Sequence, residues 1–316
     1  MRQIFFKLVM AVVIFLVAGN VVFANDPGGG TNGVGANITL TDNGSTVTLA
    51  NGIISVIIDK GSAQLNSLKF LGTETVLSGG GNVYYSMDGG TDYRTLSGCA
   101  FVIKTNSADM VDVSFRQTWS SQTQAFDIEA HWVLRRGDSG VYAYAVLDHP
   151  ASYPDTSVGE WRMVWRIPND LMERVYIDDL RHWQMPSSAD FAAAEATTIS
   201  EIVKLTTGVR AGHYDSKYEY AAEYENIGCW GHASNPNKIG AWFVTGNYEY
   251  FNDGPTKQDL TLAWDYSLIH FGRNHFSPGS LTHGTGGVAW SKIYGPFLLY
   301  FNTNPAGGDA GGDHER

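Results

Sequence analysis

Only two cysteines, Cys99 and Cys229, occur in 316 residues. A fold stapled by several disulfides is therefore excluded, and the chain has to stand on its hydrophobic core. Whether these two thiols pair is left open, because sequence spacing does not give proximity. Positive charge is scarce too, with 21 Lys and Arg against 32 Asp and Glu and a formal charge of −11. That balance argues against nucleic acid, which asks for a basic face. A few cations gathered in a cleft still suffice for an anionic ligand. Long apolar runs are missing except at the start. There, residues 1–24 combine Arg2 and Lys7, an apolar run over residues 8–18 and the small-residue site Val22-Phe23-Ala24. This reads as a secretory signal peptide whose apolar run is too short for a good membrane span. The expectation is an exported, soluble protein with no membrane partner. Zinc spacings such as His-Glu-x-x-His are absent around His213, His232, His270 and His283. Gly284-Thr285-Gly286-Gly287 lacks the strand and helix of a nucleotide loop, so neither metal nor cofactor is expected. No short repeat of propeller or solenoid type is visible.

What is abundant points to strands. Thirty-six glycines, 13% aromatic residues and few helix candidates predict an all-β chain, and the length after the signal suits one large sandwich. A Gly-rich tether over residues 25–36 precedes a body over residues 37–304, and a Gly-rich tail follows over residues 305–316. Strands are predicted over residues 52–59 and 111–115, and residues 126–134 and 141–147 form a hairpin across the Arg135-Arg136-Gly137-Asp138-Ser139-Gly140 loop. Residues 161–167 are the most informative. By the period of two, Trp161, Met163, Trp165 and Ile167 share one face, and Arg162, Val164 and Arg166 share the other. Two arginines behind a Trp-rich face predict a sheet whose outer face is a groove floor. A helix is expected only near Phe191-Ala192-Ala193-Ala194-Glu195, on an insertion. Strands resume over residues 217–224, 239–244, 260–264 and 297–301.

The densest chemistry lies between His213 and Asp259. Ser216-Lys217-Tyr218-Glu219-Tyr220 sets a lysine among tyrosines, and Gly254-Pro255-Thr256-Lys257-Gln258-Asp259 carries a second lysine at a turn. Trp230-Gly231, Gly240-Ala241-Trp242-Phe243-Val244, Asn274-His275-Phe276 and Trp290-Ser291-Lys292-Ile293-Tyr294-Gly295-Pro296-Phe297 follow in order. Taken as an ordered set over the last third of the chain, these motifs resemble the catalytic domain of rhamnogalacturonan lyases, polysaccharide lyase family 4. Glu160-Trp161-Arg162-Met163-Val164 and Met185-Pro186 fit a weaker middle section.

The resemblance implies a β-supersandwich of the galactose-mutarotase type. It implies β-elimination at the rhamnose-to-galacturonate bond of rhamnogalacturonan I, with Lys217 as base, His275 as acid and Arg162 holding the substrate. Arg166 shares the strand face of Arg162 and stays an alternative. Tyr218, Tyr220 and His270 are further candidates for substrate contact, as is Lys257, which also suits a simple turn anchor. Family members often carry a tyrosine where His270 stands, and they continue into fibronectin-like and carbohydrate-binding domains that residues 305–316 do not supply. The expected partner is a pectic polysaccharide, met by a monomer. The chemistry asks for these residue types. A galacturonate C5 proton becomes acidic only when the adjacent carboxylate is neutralised, which the planar fork of an arginine suits. The base has to be neutral, so burial among Tyr214, Tyr218 and Tyr220 is expected to lower the pKa of Lys217. The histidine titrates near neutrality and suits protonation of the leaving O4. Two other readings stand beside this one, an aldose epimerase and a non-catalytic carbohydrate-binding sandwich. The first typically pairs histidine with glutamate, and the second would tolerate loss of Lys217.

Overall fold

A computed structural model describes residues 35–77, 82–88, 93–122, 124–168, 170–246, 248, 251, 254, 256, 258–263, 265–272 and 282–303. The signal peptide, most of the tether, the Gly-rich tail, His275 and Lys257 lie outside these residues.

Alternation along the strands produces two large antiparallel sheets with one core between them. In spatial order the main path of the first runs Thr39–Asp42, Thr46–Ala50, Ile54–Asp59, Leu65–Phe70, Val83–Met87, Trp161–Arg166, Tyr266–His270 and Leu262–Ala263. The second runs His182–Gln184, Arg174–Tyr176, Cys229–Ser234, Ile239–Thr245, Trp290–Thr303, Gly140–His149, Asp127–Arg135, Met110–Gln117 and Ala100–Asn106. The all-β sandwich expected from composition is what forms. The predicted hairpin is present, with Ile128 opposite Leu147 and Leu134 opposite Val141.

Inward-facing side chains are large and interleave. Trp165 of the first sheet meets Phe301 and Phe243 of the second, with ring centroids 5.3 and 6.0 Å apart. Phe70 stacks on Phe301 at 5.2 Å, and the buried Trp132 donates its indole N–H to the Ala63 carbonyl at 2.9 Å. Buried aromatic residues of this size dominate core energetics, and truncating one to alanine costs about 3–5 kcal/mol. This core stands without a disulfide, since Cys99 and Cys229 are both free. Burial pushes each thiol up to about 12, with Asp59 adding to the effect at Cys99.

Two local features depart from the sequence expectation. Residues 217–224 are not one strand. Lys217–Tyr220 is a 3₁₀ turn, Ala221–Glu223 a short strand and Tyr224–Asn226 a second 3₁₀ turn. The Ser216 side chain accepts from the Tyr218 N–H, and the buried Tyr220 hydroxyl donates to Asp215 at 3.0 Å, so local polar bonds outcompete extension. The helix lies at Ser188–Ala192, earlier than expected, because Ser187 and Asp190 form a reciprocal capping box. It opens an arm, residues 188–216, whose strands Glu195–Ala196, Ile202–Lys204 and Tyr214–Ser216 pair into a separate small sheet.

Candidate active site

The outer face of three neighbouring strands forms the floor of a cavity of about 300 Å³. Trp161–Arg166 is the middle strand. Arg162 stands opposite Ser86 on one side and His270 on the other, and Val164 stands opposite Tyr84 and Leu268. Period-two alternation does the rest. Trp161, Met163 and Trp165 are fully buried on the core side, so Arg162, Val164 and Arg166 face the cavity. The floor's apolar centre, Val164 and Leu268, packs with Ala221 and Leu260. These two residues face each other across the short ribbon of Ala221–Glu223 and Gln258–Leu260. The ribbon is fastened by Tyr224, whose hydroxyl donates to the Leu260 carbonyl at 2.8 Å, and by Thr261, whose hydroxyl donates to the Tyr220 carbonyl at 2.6 Å. The turn leading into the ribbon carries Lys217 into the same cavity.

Of the residues singled out in the sequence, Lys217, Arg162, Arg166 and His270 therefore converge. Lys217 is 8% exposed. Its ammonium lies 5.4 Å from the Tyr218 ring centroid and pairs with Glu201, which the arm supplies from its turn between Glu195–Ala196 and Ile202–Lys204. The lysine therefore faces a carboxylate. Arg162 pairs with Glu160, donates from Nε to Ser86 Oγ at 3.0 Å and lies 3.8 Å from Asp88. Arg166 pairs with Asp265. Burial opposes the charge of Arg166, but the hydrogen bond and charge of Asp265, with Tyr84 adding to them, together outweigh it and raise the guanidinium pKa. Each of these three cations thus carries a protein carboxylate.

His270 is buried, with Nδ1 3.2 Å from an oxygen of the fully buried Asp259. An imidazole at a cavity wall with a carboxylate behind it is suited to proton transfer. Among the described residues no group of three or more His, Cys, Asp or Glu is placed to hold a metal ion.

Tyr218 and Tyr220 part company. Tyr218 is 40% exposed and donates to Glu201 at 2.8 Å, a bond that raises its pKa and keeps the phenol protonated. Tyr220 is fully buried beside Trp183, away from the cavity lining, and burial followed by Asp215 pushes its pKa well above the usual value. It braces the Lys217 turn from inside the core, so it is not placed for the substrate contact expected of it. The lining aromatics are Tyr84, Tyr93 and Tyr266, which sequence reading missed. Arg162 lies 5.2 Å from the Tyr93 ring centroid and Arg166 5.6 Å from that of Tyr266. Burial raises the Tyr84 and Tyr266 phenols, with Tyr93 adding at the first and Asp265 at the second, so both remain hydroxyl donors. The signal that Tyr84 faces away from the core was present in the pattern, since it alternates with the buried Val83 and Tyr85.

A family model described as the rhamnogalacturonate lyase family matches residues 22–213. The chain belongs to that family. The matched segment includes Glu160, Arg162, Arg166 and Glu201 and ends shortly before Lys217. Similar curated proteins include a rhamnogalacturonate lyase of Dickeya dadantii, 27% identical over 176 residues, covering 55% of this chain and 28% of that protein. Rhamnogalacturonate lyase B of Emericella nidulans is 23% identical over 300 residues, covering 84% of this chain and 43% of the relative. The chain thus spans less than half the length of these curated relatives. Among solved structures it is similar to a galactose mutarotase-like protein from Lactobacillus casei, with 10% identity, a TM-score of 0.41 and coverage of 84% and 100% of the two chains. It is also similar to a galactose 1-epimerase from Lactobacillus acidophilus, with 10% identity, a TM-score of 0.40 and coverage of 85% and 99%.

A second, more open cavity of about 610 Å³ lies beside the ribbon, lined by Asp178, Arg181, Glu223, Asn226 and Gln258 among others. The Arg181 guanidinium there is engaged by Asp178 and by the Ala221 carbonyl.

Proposed function

We propose that this protein is a rhamnogalacturonan I lyase, cleaving the rhamnose-(1→4)-galacturonate bond by β-elimination with residues 37–304 as its catalytic domain. The observation that carries the reading is the convergence of Arg162, Arg166, Lys217 and His270 on one cavity. Family membership adds to it.

In this mechanism Arg162 takes the galacturonate carboxylate as a bidentate partner, exchanging it for Glu160, and Arg166 adds positive potential on the same strand face. Neutralising that carboxylate makes the C5 proton removable. The acceptor form of Lys217 is the neutral amine, which takes the C5 proton while the electron pair forms the C4=C5 double bond. The C4–O4 bond breaks, and O4 leaves on rhamnose with a proton supplied by an imidazole. The family resemblance assigns that proton to His275, and His270 is the second candidate because it lines the cavity with Asp259 behind it. The products are a rhamnose-ended fragment and a 4,5-unsaturated galacturonate end. A positioned acid and base contribute about 10²–10⁴-fold each, and charge stabilisation of the carbanion supplies much of the rest. Tyr84, Tyr93 and Tyr266 offer hydroxyls and ring faces to the sugar. Tyr218 is held by Glu201 at the rim. Lys257 completes the set as a candidate contact. Residues 1–24 act as an export signal in this reading, so the polysaccharide is met outside the cell. Among the described residues no helix is long and apolar enough to cross a membrane.

The test is direct. Incubation with rhamnogalacturonan I should give a steady rise in the ultraviolet absorbance of the unsaturated uronide. A flat trace from folded protein rejects the lyase reading.

A further inference from the structure

Glu201 pairs with the proposed base, and no family motif led to it. Its backbone has φ +64°, in the left-handed region that non-glycine residues rarely adopt. One carboxylate oxygen pairs with Lys217 and the other accepts from the Tyr218 hydroxyl at 2.8 Å. The side chain is 39% exposed, so a fixed negative charge faces solvent directly beside the amine that reaches the C5 proton.

The arm and its junction, residues 188–217, hold Lys204, Arg210 and Lys217 against Asp190, Glu195, Glu201 and Asp215. Each of these cations has a carboxylate partner: Lys204 with Glu195, Arg210 with Glu219, and Lys217 with Glu201. A uronate seated on Arg162 takes the place of Glu160 on that guanidinium. A second uronate, one sugar further along on the Lys217 side of the cavity, meets Glu201, which itself holds the nearby cation and phenol. A neutral deoxysugar at that position brings no charge into the contact.

We propose that Glu201 is a specificity-determining residue, whose carboxylate beside Lys217 rejects a uronate at the neighbouring sugar position and selects an uncharged one. The inference rests on the reading of the cavity as a uronate-cleaving site and assigns its choice of neighbour to one repulsive charge. Specificity of this kind is a difference between two affinities and is commonly obtained by repulsion. A like charge within one sugar ring in a half-exposed site changes affinity by about tenfold. The effect weakens as added salt screens it.

Binding tests this without requiring turnover. Calorimetry with unesterified and methyl-esterified oligogalacturonates, on the full chain and on Glu201→Gln, separates charge from shape, because the ester removes the ligand's charge. Glu201→Gln should tighten the unesterified oligomer about tenfold and leave the esterified one within about twofold. Glu195→Gln, an exposed change on the same arm, should move neither. In initial rates, Glu201→Gln should raise homogalacturonan cleavage relative to rhamnogalacturonan I, and because Lys217 serves both polymers its own repositioning cancels in the ratio. An unesterified oligomer that binds Glu201→Gln no better than the parent overturns the proposal, as does equal tightening of both oligomers. Absence of turnover with the binding pattern intact rejects the lyase reading instead and leaves the selection standing.

Discussion

The floor of the cavity is a strand hydrogen-bonded on both edges with its back in the core, whereas the arm beside it is held mostly by polar contacts. Arg162 and Arg166 project from Trp161–Arg166, whose reverse face seats Trp161, Met163 and Trp165 against the second sheet. Glu201 projects from a segment whose helix, Ser188–Ala192, has no buried residue and whose Ile199 and Val209 are each 62% exposed. Leu205 is fully buried and Phe191 packs on the core, but much of the other fastening is polar, including the capping box, Thr207 on Asp190 at 2.6 Å, Thr206 on the Ala193 carbonyl at 2.9 Å, the Ser188 N–H on Asp170 at 3.1 Å and the charge pairs. Packing fixes the floor to within a rotamer. Charge and hydrogen bonding fix the arm, so pH and salt act on it first. The group proposed to hold the substrate carboxylate is therefore rigid, and the group proposed to choose its neighbour is adjustable.

The largest expected effect comes where the two regions meet. Lys217→Ala removes the proposed base and should lower elimination by about 10²–10⁴-fold. Thermal unfolding should be nearly unchanged, because the core partner in that turn is Tyr220. Retained turnover would separate the arm from the chemistry altogether.

A smaller loss is expected on the floor. Arg162→Lys keeps the charge and removes the fork, which should cost about 10–100-fold in kcat/KM, the scale of one charged hydrogen bond. The same change at Arg166, 36% exposed and held by Asp265, should cost less. Equal losses at the two positions would make the floor a diffuse basic surface in place of a positioned clamp.

The smallest effect belongs to the arm alone. Hydrogen bonds from Thr207 and Ser187 hold the Asp190 carboxyl below its usual pKa of 3.8. A depressed carboxylate stabilises fully above its unfolded value, and that contribution is lost as pH falls through the folded one. Amide exchange over residues 188–208 should therefore accelerate below about pH 4 while the Trp161–Arg166 strand stays protected. Asp190→Asn should remove the share of this pH dependence that Asp190 carries and leave that of the charge pairs. Gly208→Ala should loosen the arm at all pH values, since Gly208 has φ +76° and a Cβ there would lie 2.2 Å from an Asp190 oxygen. Parallel acceleration in arm and floor would show that the two unfold as one unit.

What the sequence determined by itself is what depends on neighbours two to four residues away. The alternation of Trp161, Met163 and Trp165 with Arg162, Val164 and Arg166 set which side of the sheet is core and which is cavity, because side-chain direction in a strand is a local property. The Lys217 motif pointed to a cavity residue for a similar reason, being a short stretch whose composition packing does not ask for. Tertiary structure alone decided the partners. Glu201 reaches Lys217 through a turn of the small sheet, and Tyr84, Tyr93 and Tyr266 reach the arginines through strand pairing and loop return, over separations no periodicity encodes. It also decided that Tyr220 turns inward while Tyr218 turns out. Ser216 and Asp215 close a 3₁₀ turn there, which ends the period of two on which an extended reading of residues 217–224 relied. Charge pairing is long-range and chain folding chooses it, so the sequence could name the cations of this cavity but not the carboxylates that hold them.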